Sequence, residues 1–281
     1  MKQKEIQTDQ RFPHQQERPA GRQWPLLIVK GLIIFCFAQL TISTTKADAV
    51  PFPQEETWNY IVRYKYGLVV MKAGNAHYRL NTLIYNNQPA VKSSLYFKTN
   101  SFFDKIFFIR DTLKAYASLP DYEPLYHTRS VNEGHTHFTE ETGTRKFGED
   151  YTEWQIKQIR KGEVRIDTIL SVYNQGYDLL NIFLYVRQLD YASLRSGDSR
   201  KITTVLGNKK TNLIIRYAGP TTVERSDKRI QNAFFLSADI ADEVFSEAKN
   251  AMEIWISDDE YHIPLRMKAK LKIGAAEAEL M

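Results

Sequence analysis

From residue 54 onward the chain is written in short alternating segments separated by turn residues. Trp58, Tyr60, Val62, Tyr64 and Tyr66 alternate with Asn59, Arg63 and Lys65. One face is aromatic and the other largely polar, the pattern of a half-buried strand. Ala76, Tyr78 and Leu80 alternate with His77, Arg79 and Asn81, and Gly67 and Gly74 bracket the expected reversal between the two segments. A turn at 85–89 leads to a third strand at 91–99, with Val91, Leu95 and Phe97 on one face. Residues 101–108 break the alternation, and Ser101 with Asp104 gives a weak helix-cap signal there. Strands are expected again at 112–118, 125–131, 135–140, 152–160 and 163–171, with turns at Asn132-Glu133-Gly134 and Lys161-Gly162. Further strands are expected at 200–206, 211–217 and 233–238, while 240–248 reads as a short helix or a loop. The chain closes with a strand ending at Trp255-Ile256, an acidic turn at 257–260, a strand from Pro264 to Ile273 and a last strand after Gly274.

One segment has a different period. Within 177–189, Leu179, Ile182, Phe183, Val186 and Leu189 fall at the spacing of one helix face. That face must cover an apolar partner, and an antiparallel sheet is the one available. The expected fold is therefore mainly β: a large curved antiparallel sheet or half-barrel with one covering amphipathic helix. A single antiparallel β domain is expected over 50–281.

The first 49 residues read as a signal peptide with a long polar n-region. Residues 26–42 are mostly apolar, interrupted by Lys30, and Ala47 and Ala49 supply the small-x-small pattern of a cleavage site. The clean apolar stretch, 32–40, is short against the roughly 20 residues of a membrane span. The expectation is an exported, periplasmic protein, with a membrane-anchored form if the leader is retained. Cys36, the single cysteine, is not preceded by the small residues of a lipid-attachment site. Cleavage would leave no cysteine, which excludes a disulfide framework, a thiolate nucleophile and a cysteine metal site.

Charge adds little. The leader holds seven Lys/Arg and four acids, so the remainder carries 31 basic against 29 acidic residues, a net of +2. No nucleic-acid partner is expected from so small an excess. Hydrophobic content of 43% with 25% charged residues is that of a globular chain.

Candidate chemistry is thin. His135 and His137, with Glu133 and Glu140 nearby, are the best metal candidates, because alternation would put both imidazoles on one strand face. A third ligand is not visible, so no metal and no cofactor are assigned. Asp258, Asp259 and Glu260 read as ordinary hairpin chemistry, and calcium would need more oxygens than they offer. Asp104, Arg110 and Asp111 read as surface pairing near a short helix rather than as a charged lip. No nucleophile elbow, phosphate loop or zinc-protease motif occurs, so no catalytic residue is assigned.

The aromatic stripes remain. They either fill the core of a large curved sheet or, in part, line an apolar cavity. On the second reading Tyr60, Tyr64, Tyr78, Phe97, Phe103, Phe107 and Phe183 are the ligand-binding candidates.

Four blocks together resemble the family called domain of unknown function 3108. They are the Tyr-rich strand running into G-L-V-V-M-K-A-G-N-A, the block K-T-N-S-F-F-D-K-I-F-F-I-R-D, the helix Y-D-L-L-N-I-F-L-Y-V-R, and W-I-S-D-D-E-Y-H-I-P-L-R-M-K-A-K-L-K-I-G. The resemblance implies an exported envelope protein of Gram-negative bacteria with a curved antiparallel sheet and no established activity. It supplies no catalytic residues. The expected function is non-enzymatic binding of an apolar or lipid-like envelope component. The alternatives are an envelope interaction or scaffold protein, and a hydrolase of envelope polysaccharide using carboxylates such as Asp258 or Glu260.

Overall fold

The computed structural model describes residues 54–281 except 149, 174, 242–247 and 272. The signal-peptide expectation and most of segment 240–248 lie outside the described residues. Strands β1 (Glu55–Tyr66), β2 (Val69–Tyr85) and β3 (Gln88–Thr99) open the chain, and a short helix α1 (Ser101–Asp104) joins β3 to β4 (Arg110–Ser118). The meander continues through β5 (Pro124–Glu133), β6 (Thr136–Phe147), β7 (Tyr151–Arg160) and β8 (Glu163–Tyr173). A two-residue strand β9 (Gly176–Tyr177) leads into helix α2 (Leu179–Arg187). The second meander is β10 (Ser199–Leu206), β11 (Lys209–Glu224), β12 (Ile230–Ala241), β13 (Ala248–Ser257), β14 (Pro264–Lys270) and β15 (Ala275–Leu280).

All fifteen strands among the described residues belong to one sheet, ordered β8-β7-β6-β5-β4-β3-β2-β1-β15-β14-β13-β12-β11-β10-β9. The two meanders are joined by antiparallel pairing of the first and last strands, which sets Tyr60 opposite Leu280 and Val62 opposite Ala278. The two ends of the sheet approach each other through side chains. Trp154 and Ile156 of β7 and Val172 of β8 pack against Val205 of β10, and Lys210 Nζ donates to the Ser171 carbonyl at 2.9 Å. The result is a barrel-like sheet, as the run of alternating segments requires once its apolar faces turn inward.

Helix α2 occupies the interior. Asp178 caps it, accepting from the Leu180 and Asn181 amides at 2.8 and 3.1 Å, and Arg187 in its last turn suits the negative end of the helix dipole. The expected stripe widens: Leu180, Ile182, Leu184 and Val186 are all buried. Leu180 and Leu184 join Trp58, Tyr60 and Tyr78 of β1–β2, while Ile182 and Val186 join Leu213, Ile215 and Leu236 of β11–β12. Two apolar clusters, one from each meander, therefore meet the helix, so its apolar surface is broader than the single stripe expected over 177–189.

Gly74 does not end a strand. It lies inside β2, where register shifts at Val62/Arg63; a Cβ there would stand 2.0 Å from the Lys98 carbonyl oxygen. The glycine permits close backbone approach at a bulge, and the reversal falls at Gly67 instead.

An apolar cavity beside helix α2

Beside α2, the walls of β1–β3 and β13–β15 leave a cavity of about 330 Å³. Trp58, Tyr60, Val62, Ala76, Tyr78, Leu95 and Phe97 line it from β1–β3, Phe183 from the helix, and Met252, Pro264, Met267, Lys268, Ala269, Ala276 and Ala278 from β13–β15. The space exists because small side chains face large ones. On the inward face of β15, Ala276 and Ala278 stand where Leu280 stands one step further along, opposite Tyr64, Val62 and Tyr60 respectively.

The wall is rigid. Trp58 and Tyr78 stack with centroids 4.9 Å apart and planes 6° from parallel, and Phe183 meets Tyr78 edge-on at 6.4 Å. Aromatic pairs of these geometries add to what burial alone supplies. The tyrosine hydroxyls are already satisfied. Tyr60 donates to the Pro264 carbonyl at 2.9 Å and Tyr78 to Ser93 Oγ at 3.0 Å. Burial pushes the Tyr78 phenol up to about 12, and burial with the neighbouring Tyr78 pushes Tyr60 higher still. Both stay neutral at physiological pH, so the cavity sees ring faces rather than polar tips. The one charged residue of the lining, Lys268, is paired with Glu253 at 3.1 Å.

Of the residues expected to bind a ligand, Tyr60, Tyr78, Phe97 and Phe183 line this cavity. Tyr64, Phe103 and Phe107 do not. Tyr64 lies past the bulge, donates its hydroxyl to the Ile273 carbonyl at 3.0 Å and meets Phe103 edge-on at 6.2 Å. Phe107 is half exposed. Sequence reading missed the contribution of β13–β15, because alanines carry no signal of their own. The informative feature is their position: alternate alanines at inward register facing an aromatic strand.

The other candidates resolve into structural roles. His135 lies in the turn before β6 and His137 within it, so the strand alternation that would align them is interrupted. No group of three His, Cys, Asp or Glu residues suited to a metal occurs among the described residues. Asp258, Asp259 and Glu260 sit on an exposed turn, where Asp259 Oδ1 accepts from the Tyr261 and His262 amides. The polysaccharide-hydrolase reading rested on this turn and gains nothing from it. Asp104 pairs with Arg110 at 2.7 Å, both partly exposed. The Arg110 and Thr99 hydrogen bonds hold the Asp104 carboxyl below its ordinary range.

The model of the family described as "Protein of unknown function (DUF3108)" matches residues 59–281. The chain belongs to this family. Among curated proteins none matches the sequence. A solved structure, described as the crystal structure of a β-barrel-like protein of domain of unknown function DUF1849 from Brucella abortus, is similar with a TM-score of 0.58. That similarity covers 83% of this chain and 98% of the other at 9% identity. The likeness extends the barrel-like architecture of this DUF3108 chain to a second family. At that identity it speaks of fold alone.

Proposed function

We propose that this DUF3108 protein binds an apolar or amphipathic, lipid-like molecule of the cell envelope, without catalysing a reaction on it. The observation that carries the reading is the cavity. It has the size of a small-ligand site, its walls are ring faces, alanines and methionines, and its one charge is already paired. A polar ligand would lose its hydration there with nothing to replace it, whereas an acyl chain would be transferred from water into a matching surface. Met252 and Met267 suit a chain of variable shape, since thioether side chains adapt their packing. Export to the periplasm belongs to the same proposal and rests on the leader sequence, 1–49.

The scaffold alternative, in which an edge strand adds to a partner sheet, is less favoured. β8, one end of the sheet, exposes Glu163, Arg165 and Asp167, charges that resist edge pairing.

Solvent extraction of natively purified protein, followed by mass spectrometry, is the direct test. A recurrent acyl-containing molecule, and saturable uptake of an environment-sensitive apolar dye displaced by a medium-chain fatty acid, are the expected results. Protein that yields no apolar molecule and takes up no dye would overturn the proposal. Export is checked separately by fractionating cells and sequencing the N-terminus.

A further inference from the structure

Three connections meet at one end of the barrel. They are the β1–β2 turn, the segment around α1, and the β14–β15 turn, which follow one another across the sheet because β3, β2, β1, β15 and β14 are neighbours. Tyr64 ties them together through its ring contact to Phe103 and its hydrogen bond to the Ile273 carbonyl. Asn100 adds a second tie, its amide donating to the Ala73 carbonyl at 2.9 Å.

This end is apolar at its tips. Leu68 is fully exposed, Tyr66 is 60% exposed, and Phe102, Ile106 and Ile273 are 57%, 65% and 64% exposed. Single exposed apolar side chains occur elsewhere, at Ile84, Tyr173 and Ile230 among others, but these three adjacent projections gather five of them at one place, and clustered exposure of this kind marks an interaction site. Lysines are interleaved with it. Lys65, Lys72, Lys98 and Lys105 are exposed, and none of the four has an ion-pair partner among the described residues. The acid within this segment, Asp104, is already held by Arg110.

We infer that this rim docks on the surface of a membrane containing anionic lipid. Projecting apolar side chains would enter the headgroup–acyl boundary while the neighbouring ammonium groups remain among the lipid phosphates. Lysine is depleted at protein–protein contacts, so four exposed lysines around the apolar tips, without ion-pair partners among the described residues, favour a lipid surface over a protein partner. The surface also lies close to the cavity: Val62, which lines it, stands four residues before Tyr66 on β1, about 13 Å at the rise of an extended strand. Docking does not depend on the cavity being filled.

The test places a reporter at the rim of the full chain. Cys36→Ser frees the single thiol position, and Leu68→Cys carries an environment-sensitive fluorophore. Ile84, 68% exposed and next to the β2–β3 turn at the opposite end, carries it in the control variant Ile84→Cys. Vesicles containing phosphatidylglycerol should blue-shift the label at position 68 and leave that at position 84 unchanged, even if the leader itself holds the chain on the vesicle. Vesicles of phosphatidylcholine alone should shift it far less. Replacing the four lysines by glutamine should weaken the response by about tenfold or more, given what each lysine contributes near an anionic surface. Equal response at both positions, no response to anionic vesicles, or a shift that follows protein concentration without lipid would overturn the assignment, the last in favour of a second copy. Dye uptake by the cavity, measured on the same variants, separates failure of docking from failure of ligand binding.

Discussion

Arg187 and Glu56, 131 residues apart, form an ion pair of 3.1 Å inside the barrel, with their side chains 0% and 6% exposed. Arg187 also lies over the Trp58 ring at 4.7 Å and donates to the Tyr261 carbonyl through Nε and Nη2 at 3.0 and 2.8 Å. One guanidinium thereby joins the end of α2 to β1 and to the β13–β14 turn. The His262 ring completes the link, its Nδ1 meeting the Arg187 carbonyl at 2.8 Å. Removing one member of a buried pair leaves a charge without compensation, which costs about 3–5 kcal/mol. Glu56→Ala should lose about that much by urea unfolding. Adding Arg187→Met to it should restore part of the loss, because the uncompensated cation is then gone. A double variant as unstable as the sum of the two single ones would argue against coupling.

The cavity makes a prediction opposite in kind. Ala278→Phe places a ring into empty space next to Val62. It should reduce uptake of an apolar dye by about tenfold or more, as steric misfit in an apolar site does, while leaving the unfolding midpoint near that of the parent. Ala276→Leu provides a second, smaller obstruction, with a smaller effect expected. Unchanged uptake in both would move the binding site elsewhere.

Gly74→Ala should be costly without touching the cavity chemistry. Its Cβ would meet the Lys98 carbonyl, a backbone atom that yields only if β2 and β3 separate. A loss of about 1–3 kcal/mol is expected from overpacking of this kind. Gly143, where a Cβ meets nothing within 4 Å, is the comparison: Gly143→Ala should be close to neutral.

Asp178 gives the pH dependence. Burial raises its carboxyl above the ordinary range, against the opposing pull of His127 and of the amides it caps. A carboxyl whose folded-state value is raised binds its proton more tightly when folded, so its contribution is fully present below the unfolded value and is lost as pH rises through the folded one. The stability of the parent relative to Asp178→Asn should therefore fall as pH is taken from acidic to neutral. Urea titrations of both proteins across that range check it, and a constant difference would contradict it.

Much of the architecture was legible in local pattern. Alternation placed the strands in order, Pro264 marked the start of β14, and the period change at residues 177–189 marked helix α2. The limits of that reading are equally physical. Gly67 and Gly74 look alike in sequence, yet one makes a turn and the other admits a neighbouring carbonyl, because the difference lies in what the opposite strand presents. Phe103 and Phe107 carry the same apolar signature as Phe97. They lie at the rim, away from the cavity, because the chain leaves the sheet at Asn100 and returns only at Arg110.

By itself, then, the sequence determined that the chain forms a large curved antiparallel sheet with a helix packed on its apolar face, and that it belongs with other DUF3108 proteins. Those properties depend on side-chain periodicity, which neighbours along the chain impose. Tertiary structure alone decided where space remains. The pairing of β1 with β15 brings Val62 opposite Ala278 and Tyr64 opposite Ala276, across more than two hundred residues. Burial of Arg187 against Glu56 and Trp58 seats the helix beside them. A cavity is a property of facing surfaces, so it becomes visible only once distant strands have met.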